Sequence, residues 1–167
     1  MRILLDVDGV CADFTGPLLA AATAGRLRSS DIDRWDLFDL MEPYEREVAR
    51  GVLEVGEFWR WLPRIDGALE GVEALRSDGH QIVWVTSPYV ACATWFEARR
   101  AWLLDRMGAS GEDMVFTEAK HLVSGDALID DRLDNVMAWD RAQIHLGPTL
   151  PFLFDAPYNL ALEWAGP

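Results

Sequence analysis

Ile3-Leu4-Leu5-Asp6-Val7-Asp8-Gly9-Val10 carries an apolar run into two carboxylates spaced one residue apart. A near-continuous apolar run reads as a strand buried on both faces of a parallel sheet, and in such sheets ligands bind outside the carboxyl ends of the strands. The run therefore sets Asp6 at the tip of a strand, facing a pocket. Asp8 follows where the chain has left the strand, and Gly9 permits the turn that returns a second carboxylate beside the first. Two acids in different surroundings can divide the work, one as ionised nucleophile and one as proton donor. Taken alone, Asp-x-Asp-Gly also suits an ordinary turn or a calcium loop.

The remaining periodicity builds a sheet around this strand. Gly67 to Ser77 repeats apolar residues at helical spacing, and Gln81-Ile82-Val83-Trp84-Val85 reads as a buried strand. Val90 to Met107 reads as a long helix stopped by Gly108. Met114-Val115-Phe116 and Ala127-Leu128-Ile129 read as short strands, and Arg132 to Arg141 as a helix. Gln143-Ile144-His145-Leu146 and Phe152-Leu153-Phe154 are two further strand candidates. Such alternation predicts an α/β fold, a Rossmann-like parallel sheet flanked by helices with right-handed crossovers. Residues 14–63 break the rhythm with helical patterns only, among them Pro43 to Val55 with proline in the first turn. They are expected to form a small helical cap inserted after the first strand, with 1–13 and 64–167 as the core. Asp31, Asp33, Asp36 and Asp39 read as a solvated face.

Composition narrows the function. A formal charge of −13 over 167 residues argues against a nucleic-acid polymer as partner, since phosphate backbones are bound by basic surfaces. A small phosphorylated ligand stays compatible if a metal and a few cations reverse the local sign. Lys120 is the single lysine against fourteen arginines. A compact ammonium suits a phosphate, although an ordinary surface lysine would read the same way. Cys11 and Cys92 make no disulfide framework or metal-ligand spacing, and no membrane-spanning run or signal peptide is evident, so the cytoplasm is the expected compartment. His80, His121 and His145 lack ligand spacing.

Four groups fall at or just beyond strand ends in this reading: Asp6 with Asp8, Thr86 with Ser87, Lys120, and Asp130 with Asp131. Together they supply what phosphoryl transfer needs: a nucleophile, donors for phosphate oxygens, a cation, and carboxylates for magnesium. In order and content these motifs resemble those of the haloacid dehalogenase-like phosphohydrolases. Further matches bring the chain close to the 5'(3')-deoxyribonucleotidases: Phe58-Trp59 with Pro63 and Gly67-Ala68-Leu69-Glu70, Thr86-Ser87-Pro88, Leu128-Ile129-Asp130-Asp131-Arg132, and Phe152-Leu153-Phe154-Asp155-Ala156-Pro157-Tyr158-Asn159. The resemblance implies that Asp6 attacks phosphorus to form an aspartyl-phosphate, and that Asp8 protonates the leaving alcohol and then activates water. Thr86, Ser87 and Lys120 would hold the phosphate. Asp6, the carbonyl of Asp8, and Asp130 or Asp131 would bind Mg2+.

The substrate implied is a nucleoside monophosphate, and the resemblance allows a homodimer. Phe14, Phe58 and Trp59 are the residues expected to meet the base, by stacking worth about 1–3 kcal/mol; the same rings could instead pack the cap onto the core. A phosphatase for another small phosphoester, such as a sugar phosphate, is the alternative. A non-catalytic ligand-binding relative fits less well, because the acids and the lysine are all present.

Overall fold

A computed structural model describes residues 1–145 and 147–160. Five parallel strands form one sheet in the order β3-β2-β1-β4-β5: β1 (Arg2–Leu5), β2 (Gln81–Thr86), β3 (Met114–Phe116), β4 (Ala127–Asp130) and β5 (Leu150–Leu153). β1 lies at the centre, with Leu5 opposite Trp84 on β2 and Ile129 on β4. Alternate residues feed the two faces. Ile3, Leu5, Ile82 and Trp84 join the larger core cluster on one side, while Leu4, Val85, Leu128 and Trp139 form a smaller one on the other. Burial on both faces is why these strands read as unbroken apolar runs.

The reversal of strand order falls between β2 and β4, on either side of β1, and a crevice opens at that point in parallel sheets. Helices α1 (Thr15–Thr23), α2 (Pro43–Leu53) and α3 (Gly56–Arg60) separate β1 from α4 (Ala68–Ser77), which leads into β2. Where the chain leaves for these helices and where it returns, it is tied together: the Asp13 amide donates to the Pro63 carbonyl at 2.9 Å and the Ile65 amide to that of Cys11 at 2.8 Å. Leu18, Leu19, Ala49, Leu53 and Trp59 continue the larger core cluster outward, so the three helices rest on the sheet through apolar packing. Arg26 and Glu45 pin them internally, Nε to Oε1 at 2.8 Å, while Glu45 also accepts the Glu42 amide at 2.8 Å.

Two expectations differ from the structure. The helix expected from Val90 begins only at Trp95, as α5 (Trp95–Met107), and residues 90–94 turn instead. The Cys92 and Trp95 amides bond back to the Tyr89 and Cys92 carbonyls at 3.1 Å each, closing successive tight turns in place of a continuous helix. The strand expected at Gln143 to Leu146 is the end of α6 (Leu133–Gln143) followed by a turn at Ile144 and His145, while Leu146 lies outside the described residues. Val136, Trp139 and Gln143 are buried at helical spacing, and Gln143 Nε2 donates to the His121 carbonyl at 3.1 Å. Among the described residues no helix is long and apolar enough to cross a membrane.

Candidate active site

Each of the four sequence groups lies at the carboxyl edge of the sheet. Asp6 leaves β1 with its amide donating to Ile129 at 3.0 Å, and its Oδ1 accepts the Val7 amide at 2.7 Å. Beyond it the chain folds back tightly, the Cys11 and Ala12 amides both meeting the Val7 carbonyl at 2.8 and 2.7 Å. Gly9 holds this turn with φ +83°, and a Cβ there would collide with Asp131 and with the Tyr158 hydroxyl. Thr86 ends β2 fully buried, and Ser87 beside it is exposed to the cavity. The turn after β3 is fixed by Thr117, whose amide donates to Thr86 at 3.0 Å and whose Oγ1 accepts the Ala119 amide at 3.0 Å. Lys120 is thereby delivered, buried, to the acids.

Lys120 Nζ lies 2.8 Å from Asp6 Oδ1 and 2.7 Å from Asp130 Oδ2. Burial alone would lower its pKa, but the carboxylates of Asp6 and Asp130 more than reverse this and hold it above the ordinary lysine value. Burial pushes Asp6 the other way, up to about 7, with Lys120 opposing and Asp130 and Asp8 adding to the rise. Burial likewise raises Asp131 well above the usual range, reinforced by the charges of Asp6 and Asp130.

Asp6, Asp130 and Asp131 each offer an oxygen within 4.8 Å of the others. Three buried carboxylates against one ammonium leave excess negative charge, and an all-oxygen set suits a hard divalent cation. The residues therefore fit a metal of that class. Asp130 is the most fully engaged: beyond Lys120 it accepts the Arg132 amide at 2.9 Å and Asn135 Nδ2 at 3.0 and 3.1 Å. Asp131 is held by the Tyr158 hydroxyl, and its carbonyl accepts Asn159 Nδ2 at 2.8 Å.

Asp8 stands apart from this trio. Its carboxylate lines the same cavity but pairs with Arg99 at 2.6 Å. Cys11, two residues past Gly9, is no nucleophile: burial, then the charges of Asp6 and Asp8, raise its thiol far above the ordinary value. The histidines take no part in the carboxylate cluster, and Asp31, Asp33, Asp36 and Asp39 are exposed, as expected.

These groups open into a cavity of about 680 Å³. Phe14 and Trp59 line it, whereas Phe58 does not and instead packs edge-on against both. Phe14 and Trp59 stack on each other, centroids 5.5 Å apart at 22°, so no planar ligand fits between them. Sequence reasoning missed another part of the lining, formed by Trp35, Arg132 and Tyr158. Trp35 is half exposed there, edge-on to Tyr158 at 5.9 Å and 5.0 Å from the Arg132 guanidinium. Neither motif nor periodicity marks Trp35; the Tyr158 and Arg132 signals were present only as family-like runs. Chemically, the arrangement sets a buried carboxylate, a cation and hydroxyl donors at the foot of an aromatic cavity.

Comparison with known proteins agrees with this picture. The family model described as "5' nucleotidase, deoxy (Pyrimidine), cytosolic type C protein" matches residues 1–164. A Bordetella pertussis protein provisionally named 5'(3')-deoxyribonucleotidase is 31% identical over 168 residues, covering 95% of this chain and 86% of its own. The human mitochondrial 5'(3')-deoxyribonucleotidase is 33% identical over 144 residues, covering 80% and 63% respectively. Among solved structures, a hydrolase from Streptococcus pneumoniae superposes with TM-score 0.54 at 14% identity over 95% of both chains. A provisionally named haloacid dehalogenase-like hydrolase from Burkholderia xenovorans gives 0.52 at 15% identity, over 95% of this chain and 94% of its own. These two likenesses concern the fold.

Proposed function

Since the chain belongs to the deoxy (pyrimidine), cytosolic type C family of 5' nucleotidases and is a hydrolase of phosphatase type, we propose that it is a Mg2+-dependent phosphomonoesterase acting on deoxyribonucleoside monophosphates through an aspartyl-phosphate on Asp6. The observation that carries this reading is the buried Asp6–Lys120 contact at 2.8 Å at the foot of the cavity, with Asp8 and the paired Asp130 and Asp131 around it. Residues 14–63 act as the cap over a core formed by 1–13 and the described residues of 64–167.

Asp6 is the nucleophile, and Lys120 offsets the charge of an anion attacking an anion. The Thr86 and Ser87 hydroxyls hold phosphate oxygens. Asp8 gives its proton to the departing ester oxygen and afterwards draws one from the attacking water. Asp6, Asp131 and the Asp8 carbonyl would hold Mg2+, which supplies charge neutralisation at the phosphoryl group; Asp130, saturated by Lys120, Asn135 and the Arg132 amide, sets the lysine in place. The nucleobase lies against Phe14 and Trp35, which line the same cavity, while Trp59 stacks on Phe14 and Phe58 packs edge-on to both.

Phosphate release from deoxyribonucleoside and ribonucleoside 5'- and 3'-monophosphates, sugar phosphates and an aryl phosphate, with and without Mg2+, tests the reading. Preferred turnover of deoxyribonucleotides that requires Mg2+ is the expected result. Preference for sugar phosphates, or turnover indifferent to chelation, would refute the substrate or the metal respectively.

A further inference from the structure

Arg99 lies on α5, one turn after Trp95 and one before Trp102, and it is fully buried. Its Nη2 meets both oxygens of Asp8, at 2.6 and 2.9 Å. The guanidinium carbon stands 5.3, 5.6 and 5.7 Å from the ring centroids of Trp59, Trp95 and Trp102. Two of these indoles are themselves anchored, Trp59 Nε1 donating to the Leu53 carbonyl and Trp102 Nε1 to that of Leu62, each at 2.8 Å. Among the described residues Arg99 Nε and Nη1 have no hydrogen-bond partner. A buried guanidinium thus has one carboxylate and three aromatic faces for company, and it does not reach the cavity lining.

Stability does not account for such a choice. Exchanging a buried ion pair for apolar groups is often neutral or stabilising, and a methionine would fill an indole cage well. What an apolar residue could not do is fix the carboxyl of Asp8, which is one-quarter exposed on a tight turn beside the cavity. We propose that Arg99 is a positioning residue: held by the three tryptophans, it clamps the Asp8 carboxyl in the orientation that delivers a proton to the departing ester oxygen. This rests on the reading of Asp8 as proton donor.

The step balances simply. As an oxygen of Asp6 bonds to phosphorus, the bond from phosphorus to the ester oxygen breaks and its electron pair stays on that oxygen. The proton of Asp8 moves to it, leaving an alcohol and a carboxylate. The negative charge thus appears on Asp8 next to Nη2, where a fixed cation stabilises it without reorganisation. The same carboxylate is then aligned to take a proton from water.

A defect in proton delivery depends on the leaving group, whereas a general structural defect does not. Wild type, Arg99→Met, Arg99→Lys and Asp8→Asn are compared by kcat/KM, which covers steps through departure of the alcohol. The substrates are a deoxyribonucleoside 5'-monophosphate, whose alkoxide needs the proton, and 4-nitrophenyl phosphate, whose phenolate does not. Arg99→Met is expected to lose about 100-fold on the nucleotide, the scale of general acid catalysis, and under about 5-fold on the aryl ester, with Arg99→Lys in between. Equal losses on both esters, or no loss on either, overturn the inference. If Arg99→Met does not fold, Arg99→Lys decides by the same split. Where Asp8→Asn shows the split and the Arg99 variants do not, the clamp fails and the proton donor stands. Where Asp8→Asn itself shows none, the reading of Asp8 fails and the clamp falls with it.

Discussion

Replacing Lys120 with methionine takes away the ammonium buried against Asp6 at 2.8 Å and Asp130 at 2.7 Å, leaving three carboxylates in a cluster 4.8 Å across. Breaking a buried ion pair from one side costs about 3–5 kcal/mol, because the charge left behind has lost its solvent and its partner. For a chain of this size each kcal/mol shifts Tm by roughly 2–4 °C, so the chelated variant should melt roughly 6–20 °C below wild type. Asp6, already pushed up to about 7 by burial, rises further without the lysine. A carboxyl raised in the folded state disfavours folding increasingly as pH passes its unfolded value, so the deficit should be larger at pH 8 than at pH 6. A divalent cation restores positive charge in the same place. Scanning calorimetry across a Mg2+ titration should therefore show a larger rise in Tm for Lys120→Met than for wild type, alongside loss of phosphatase activity. A variant that melts within about 2 °C of wild type in chelator and gains no more from Mg2+ would refute this account of the site's charge balance.

Three further outcomes are expected. Gly9→Ala places a methyl against Asp131 and the Tyr158 hydroxyl at φ +83°, so it should cost about 1–2 kcal/mol in urea unfolding and weaken Mg2+ binding measured by calorimetry. The Arg26 fork and the Glu42 amide hold the Glu45 carboxyl down to about 2 from its ordinary 4.5. Its stabilisation is thus present above about pH 4.5 and lost as pH falls toward 2, and Glu45→Gln should flatten the acid limb of the stability profile over that window. Trp35→Ala opens the exposed aromatic wall and should raise KM for a deoxyribonucleotide about 5- to 100-fold, the scale of one base stack, with little change in kcat.

How much of this was legible in the sequence depended on whether a residue's role was local. Asp6, Lys120 and Asp130 each follow an apolar run or a short turn, so strand ends located them without knowledge of the fold. Parallel strands buried on both faces left the same trace in Ile3-Leu4-Leu5 and Ala127-Leu128-Ile129. The edge was less clear: Gln143 is buried by helix α6, and its apolar neighbour Ile144 imitates a strand because a turn carries no pattern of its own. Arg99 escaped notice because its meaning lies in Asp8, 91 residues away, and in tryptophans that read simply as core. The aromatic wall shows the same limit. Phe58 and Trp59 advertise themselves as a pair, but only packing reveals that Trp59 is covered by Phe14 while the isolated Trp35 stands open.

Covalent trapping on Asp6 goes to the heart of the reading. Protein turning over a deoxyribonucleoside monophosphate with Mg2+ would be quenched in acid, reduced with borohydride and mapped by peptide mass, beside the Asp6→Asn variant. The account predicts conversion of residue 6 to homoserine only in wild type with both substrate and Mg2+ present, and no phosphate release from Asp6→Asn. Turnover that persists in Asp6→Asn, or a reduced acyl-phosphate at any other aspartate, would contradict it.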